Sequence, residues 1–255
     1  MLDQIVPIAR EAGRIMLSFH DAATHRKEGH FNYVTDADVA VQGYLKTALS
    51  ALIPASRFFA EEQENEALSD APTFVVDPID GTLNYMRRRN CSAVSVALLV
   101  NKAPVCGVIY NPYADELFSA EAGKGARLNG SPIRVSSAGM DNALVAFGTS
   151  PYDADLHEKT MKAAGRFLRR AGDLRRSGSA ALDLCDVACG RADIFFELRL
   201  RPWDIAAGSL IVTEAGGRFH SLGHAAPYYE DACGMLCANA VCFDEALAVL
   251  EEALR

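Results

Sequence analysis

The sequence predicts a mixed α/β fold, and three observations carry that expectation. The N-terminal segment has a helical apolar rhythm, several short β-rich runs follow between residues 57 and 120, and strands alternate with helices from residue 143 onward. Leu2, Ile5, Val6, Ala9, Ala12, Met16 and Phe19 recur at i, i+3/i+4 and i+7, which is one face of an amphipathic helix. A polar loop carrying Lys27 then leads to a second helix beginning at Thr35. Its stripe is Val41, Tyr44, Leu45, Ala48, Leu49 and Leu52, with Pro54 beyond its end. Strands are expected over 57–60, 73–76, 93–100, 105–110 and 117–120. Gly123, Gly125 and the Asn129-Gly130 pair mark turns, the last being a hairpin signal. The first half therefore reads as two helices followed by a largely antiparallel sheet.

The second half alternates: a strand over 143–147, helices over 154–171 and 179–189, a strand over 193–197, and a helix over 203–215 closed by Gly216-Gly217. A strand over 235–238 and a helix over 243–254 complete it. No repeat, low-complexity tract or long linker interrupts the chain. Residues 1–255 are expected to form a single domain, with two intimately packed subdomains of roughly 1–140 and 141–255.

Of the 255 residues 50% are apolar and 23% charged, the profile of a soluble globular protein. No run approaches the ~18 apolar residues of a membrane helix, and the N-terminus lacks the basic start and apolar core of a signal peptide. Membrane association is not expected. The net charge of −8 argues against binding nucleic-acid polymers, so an acidic substrate would need bound cations or locally placed arginines. The seven cysteines are odd in number and lack a C-x-x-C, which suggests free thiols in a reducing cytoplasm. Cys233, Cys237 and Cys242 lie near His224, so zinc is conceivable there, but buried small apolar side chains are the better reading.

The most informative stretch is Asp77-Pro78-Ile79-Asp80-Gly81-Thr82, directly after the apolar run Thr73-Phe74-Val75-Val76. It reads as a Pro-stiffened turn holding two carboxylates three residues apart, with Gly81 allowing close backbone approach. A helix starting at Asp80 or Gly81 would place free amides beside the two acids. Acids and an anion site repel unless cations sit between them, as in metal-assisted phosphate chemistry. The same six residues are also ordinary turn chemistry. Glu61 and Glu62 follow the short strand at 57–60, either as ligands or as a solvated acidic loop. Asp38, three residues after Thr35, fits a capping box. Trp203-Asp204 opens a helix whose dipole alone would explain the acid, yet Pro202 stiffens that start and Ala206, Ala207 and Gly208 permit close packing.

DPIDGTLNY (77–85), the acids at 61–62 and WDIAAGSLIVTEAGG (203–217) together resemble the inositol monophosphatase family. VTDAD (34–38), GKGARLNG (123–130) and RSGSAALDLC (176–185) fall in that family's order, so the resemblance spans nearly the whole chain. It implies a layered sandwich of alternating helix and sheet layers, of the inositol monophosphatase and fructose-1,6-bisphosphatase kind. It also implies a cytoplasmic, lithium-sensitive Mg²⁺-dependent phosphatase that forms a homodimer and acts on a small phosphorylated substrate. Glu61, Asp77 and the Ile79 carbonyl would hold one magnesium, and Asp77, Asp80 and Asp204 a second. A weaker third would lie near Glu61 with Asp38 in its network, and Mn²⁺ could substitute. Thr82 would position the attacking water, and the Gly81 and Thr82 amides would grip the phosphate. Glu61 and Asp80 join Thr82 in the catalytic set, Glu197 would meet a substrate hydroxyl, and Gly178, Ser179 and Ala180 would line the pocket.

Elementary electrostatics points the same way. Two carboxylates ~4 Å apart repel by roughly 4 kcal/mol at an effective dielectric near 20, so gathered acids need cations. An all-oxygen donor set suits magnesium or manganese over zinc. His25, His30, His157, His220 and His224 are scattered, and no serine or cysteine triad is evident. The chain departs from the family at Ala60, where glycine is usual, and in the basic run Arg87-Arg88-Arg89. Those arginines, with Arg199 and Arg201, either balance surface charge or meet a second substrate anion. The expected substrate is inositol monophosphate or a similar polyol or sugar phosphate. The alternatives are a 3′(2′),5′-bisphosphate nucleotide, fructose 1,6-bisphosphate, histidinol phosphate, or a non-catalytic regulatory dimer of the same fold.

Overall fold

Helix α1 (Leu2–Ser18) buries the face carrying Ile5, Ala9, Ala12 and Met16, as its periodicity requires. The structure is a computed structural model that describes residues 1–19, 23–26 and 33–255. The loop expected around Lys27, and His30, lie outside the described residues. Strands β1 (Thr24–Arg26) and β2 (Tyr33–Thr35) pair antiparallel and lead into α2 (Asp36–Leu52). Thr35 caps α2: its hydroxyl accepts from the Asp38 amide while the Asp38 carboxylate accepts from the Thr35 amide at 2.7 Å.

Strands β3 (Arg57–Ala60) and β4 (Thr73–Asp80), the short helix α3 (Thr82–Met86), and β5 (Ala93–Val100), β6 (Ala103–Asn111) and β7 (Glu116–Glu121) follow. With β8 (Ala126–Leu128) and β9 (Ser131–Pro132) they form a seven-stranded sheet in sequential order, parallel at β3–β4 and antiparallel elsewhere. Asn129 (φ 48°) and Gly130 (φ 82°) make the β8–β9 hairpin, a two-residue turn with both central residues at positive φ. A second sheet holds β10 (Leu144–Phe147), β11 (Asp173–Arg175), β12 (Ile194–Leu200), β13 (Arg218–Ser221) and β14 (Cys233–Ala238), in the order β11-β10-β12-β14-β13. Its helices are α4 (His157–Leu168), α5 (Ala180–Ala188), α6 (Pro202–Glu214) and α7 (Phe243–Leu254).

The layers follow from strand alternation. Phe74, Val76, Val94 and Val96 face α1 and α2, whereas Val75, Ala93 and Ala97 face the inner core that contains α5 and α6. On the second sheet Phe195 and Met235 face inward, while Ile194, Phe196 and Leu236 face the outer core of α4 and α7. The result is helix, sheet, helix, sheet, helix. Helix α6 is apolar all round because it lies between two sheets. It packs closely where a Cβ on Gly107 would meet the Ala207 carbonyl oxygen at 2.8 Å, and where one on Gly208 would strike Leu184. The expected small-residue contact is thereby realised.

Several boundaries differ from expectation. The strand at 73–76 runs on to Asp80, so the acidic motif lies in the strand rather than in a turn after it. The helix after it starts at Thr82, with Gly81 in the left-handed region at φ 83°. The helix expected over 154–171 begins with a 3₁₀ turn and ends at Leu168. The helix expected over 179–189 runs from Ala180 to Ala188, with Ser179 and Cys189 as its caps. All seven cysteines are unpaired, and five are buried.

Candidate active site

Strand β4 is buried along its whole length and carries a one-residue bulge. Asp77 pairs with Ser95 and Asp80 with Ala93, so three steps on β4 span two on β5. In a regular strand, residues three apart point to opposite faces; the bulge re-aims the second carboxylate toward the side of the first. Pro78 suits this place because it has no N–H to offer a ladder. Asp77 Oδ1 also accepts from the Ile79 amide at 3.0 Å, which holds the bulge shut.

Asp204 reaches the same point from the first turn of α6, its Oδ2 accepting from the Arg201 amide at 2.7 Å. Ligand oxygens of Asp77, Asp80 and Asp204 all lie within 4.8 Å of one another. Among the described residues this trio is the one group of histidines, cysteines and acids placed to hold a metal ion, so no zinc cluster forms around Cys233, Cys237 and Cys242. Asp80 is steadied by the start of α5, where the Ser179 hydroxyl and the Ala181 amide, the latter at 2.9 Å, donate to Oδ2.

Burial raises the Asp77 carboxyl well above the usual range, and the charges of Glu61, Asp80, Asp204 and Asp38 raise it further. Asp204 is raised for the same reasons, burial first and then Asp80 and Glu61. Asp80 is raised less, because the Ser179 and backbone hydrogen bonds offset its burial. Among the described residues none of the three forms an ion pair with lysine or arginine.

The remaining expected residues surround this trio to different degrees. Glu61 lies outside the 4.8 Å group. Its amide donates to the Val76 carbonyl at 3.3 Å, which extends the β3–β4 pairing and keeps Glu61 beside the end of β4. Asn65 and Gln42 tie down the flanking backbone of Ala60 and Glu62. Asp38 is fully buried in its cap, and its charge reaches Asp77. The Ile79 carbonyl accepts from the Thr82 hydroxyl at 3.2 Å. Gly81 is confined: a Cβ there would meet the carbonyl oxygens of Cys91 and Gly178, each at 3.1 Å. Asn84 donates to the Cys91 and Ser177 carbonyls at 2.8 and 3.0 Å, binding the motif to the 178–180 segment.

Glu197 is buried on β12 and accepts from the Ser150 amide at 2.7 Å. Burial pushes its carboxyl up to about 7, against the pull of the Ser150 hydrogen bonds. Gly148 is required beside it, since a Cβ there would sit 1.8 Å from Glu197 Oε2. Ser150, buried at φ 41°, also accepts from the Arg199 amide at 3.1 Å beyond the last β10–β12 pair. Sequence reasoning missed Thr149 and Ser150, which follow no periodicity or motif, and gave no role to Arg176 at the head of the 176–185 motif. Arg199 pairs with Asp153 at 3.1 Å and Arg201 with Asp231 at 2.9 Å, while Arg87, Arg88 and Arg89 are exposed.

Comparison with known proteins agrees with this architecture. The model of the "Inositol monophosphatase family" matches residues 1–254. Inositol monophosphatase 2 of Solanum lycopersicum is 42% identical over 226 residues, covering 85% of each chain. The Nus factor SuhB of Escherichia coli K12 is 39% identical over 223 residues, covering 85% of this chain and 83% of that protein. The IMPase of Thermotoga maritima superposes with a TM-score of 0.89 at 30% identity, over 99% of this chain and 97% of that one. The chain belongs to the inositol monophosphatase family and is a phosphatase that hydrolyses phosphomonoesters.

Proposed function

We propose that the protein is a Mg²⁺-dependent phosphomonoesterase acting on inositol monophosphate or a similar small polyol or sugar phosphate. The observation that carries this reading is the trio Asp77, Asp80 and Asp204, the first two buried and the third half-buried, which has no ion-paired lysine or arginine among the described residues. Its all-oxygen donor set fits magnesium, with Mn²⁺ as a substitute and Li⁺ as an inhibitor. Asp77, Glu61 and the Ile79 carbonyl would hold one ion; Asp77, Asp80 and Asp204 a second; Asp38 belongs to the network of a weaker third. Bound there, magnesium supplies Lewis-acid stabilisation of the phosphoryl oxygens and makes water more acidic.

The chain's own groups do the rest. The Gly81 and Thr82 amides bind phosphate, and Thr82, anchored on the Ile79 carbonyl, orients the attacking water. Gly178, Ser179 and Ala180 line the pocket, and Glu197 accepts a hydrogen bond from a substrate hydroxyl. Water oxygen bonds to phosphorus, the ester P–O bond breaks, and the alcohol leaves with the proton that water gives up. A homodimer in the cytoplasm accords with the family and with seven unpaired thiols, and among the described residues no helix is long and apolar enough to cross a membrane.

The test is phosphate release from a panel: myo-inositol monophosphate, a sugar monophosphate, a 3′(2′),5′-bisphosphate nucleotide, fructose 1,6-bisphosphate and histidinol phosphate, each with Mg²⁺ and with EDTA. The highest kcat/KM is expected on a polyol or sugar monophosphate, with loss of turnover on chelation. Full activity in EDTA would sink the metal mechanism, preference for a bisphosphate would replace the substrate, and hydrolysis of none would favour a regulatory dimer.

A further inference from the structure

Arg176 is exposed in the turn that leads into α5, and neither the motif nor the family match gives it a task. Its Nη2 donates to the Thr149 hydroxyl at 3.3 Å, and its Nη1 lies 2.8 Å from where a Cβ on Gly178 would be. Gly178 in turn abuts Gly81 through its carbonyl. The guanidinium therefore ties the turn leading into α5 to the stretch after β10 that leads to Ser150. Thr149 adjoins Ser150, whose amide holds Glu197 Oε1.

Arg176 and Glu197 lie close enough for the arginine's charge to lower the proton affinity of the carboxyl, yet they form no ion pair with each other. The neighbouring arginines are committed elsewhere: Arg175 to Asp173, Arg199 to Asp153 and Arg201 to Asp231. Among the described residues Arg176 has no carboxylate partner, and its only hydrogen bond is to Thr149.

A guanidinium offers donors only and a carboxylate acceptors only. A guanidinium and a carboxylate that lie near each other without pairing are complementary to a pair of adjacent hydroxyls, one accepting from the arginine and the other donating to the glutamate. A few converging polar groups of this kind set orientation in a small-molecule site. We propose that Arg176 is a specificity-determining residue that, together with Glu197, reads a vicinal diol on the polyol bearing the phosphate. This rests on the placement of the substrate polyol against Glu197 proposed above.

The experiment compares kcat/KM for myo-inositol monophosphate with that for p-nitrophenyl phosphate, which carries no hydroxyl, in the intact protein with Mg²⁺. The ratio cancels any loss of correctly folded enzyme. Arg176→Ala is expected to lower the ratio about tenfold, a fraction of what a fully buried hydroxyl contact supplies. Arg176→Lys, which keeps the charge but not the planar fork, is expected to fall in between. A ratio within about twofold of the parent in both variants overturns the assignment, whether both rates fall together or neither moves. Glu197→Gln separates the two layers of the argument. If it lowers the ratio while Arg176→Ala does not, only the arginine assignment fails; if neither moves it, the placement of the polyol fails as well.

Discussion

At the N-terminal end of α5, Asp80 meets Asp77 and Asp204 with no arginine or lysine paired among the described residues. Just past the other end of α5, Glu116 and Asp186 meet Arg191. There the guanidinium donates from both nitrogens to the two Glu116 oxygens, at 2.8 and 2.5 Å, in a fork that suits a carboxylate. The outcomes are opposite: the hydrogen bonds to Arg191 hold Glu116 below the usual carboxylate range, whereas burial drives Asp77 well above it. Even Asp186, raised by burial, is pulled back by Arg191. The same residue types thus serve as a strut where the chain brings its own cation and as a site where the cation must come from outside.

The largest break in this comparison comes from the trio. Asp77→Asn is expected to lower turnover by about a thousandfold, since a metal supplies several kcal/mol of charge stabilisation. The same variant melts no lower than the parent in EDTA, because it relieves like-charge crowding. Phosphate release and thermal melting measure the two effects, and a metal-free melting point well below the parent's would mean that Asp77 is a strut after all.

A smaller effect concerns pH. Asp77 and Asp204 have folded pKa values raised above their unfolded ones, so their contribution to stability is complete below pH ~4 and is lost as pH rises through the folded values. The metal-free melting temperature should therefore fall between pH 5 and pH 8. Mg²⁺ competes with protons for these oxygens and should raise the melting temperature more at pH 8 than at pH 5. Equal shifts at the two pH values would refute the linkage.

The smallest effect is at the strut. Arg191→Ala should cost about 1 kcal/mol, discounted because the arginine side chain is 47% exposed, and should leave kcat/KM within about twofold. Urea denaturation with parallel kinetics checks this, and a large kinetic loss would show that the two ends of α5 are not independent.

Much of the site was legible in the linear chain. Two short motifs point to Asp77, Asp80 and Asp204, and one carboxylate oxygen of each lies within 4.8 Å of the others. The Asn129-Gly130 hairpin and the Thr35–Asp38 cap were equally readable, because each depends on a few neighbouring residues. The β4 bulge was not, since Asp77-Pro78-Ile79-Asp80 has the composition of a turn, and only pairing with β5 keeps it in a strand. The short strands β11 and β13 were missed for a related reason: three- and four-residue edge strands have too little pattern to register.

What residue order alone could specify was therefore local and chemical: helices with one apolar stripe, turns that need glycine, and carboxylates without arginines beside them. Where those carboxylates meet is a property of packing. The approach of α6 at Gly107 and Gly208, the seating of Ser179 and Ala181 on Asp80 and the hold of Ser150 on Glu197 join residues up to 101 positions apart in sequence. No short-range propensity encodes such contacts. They arise when two sheets close on the α5–α6 layer and bury the acids together, and that burial gives the acids their need for a cation.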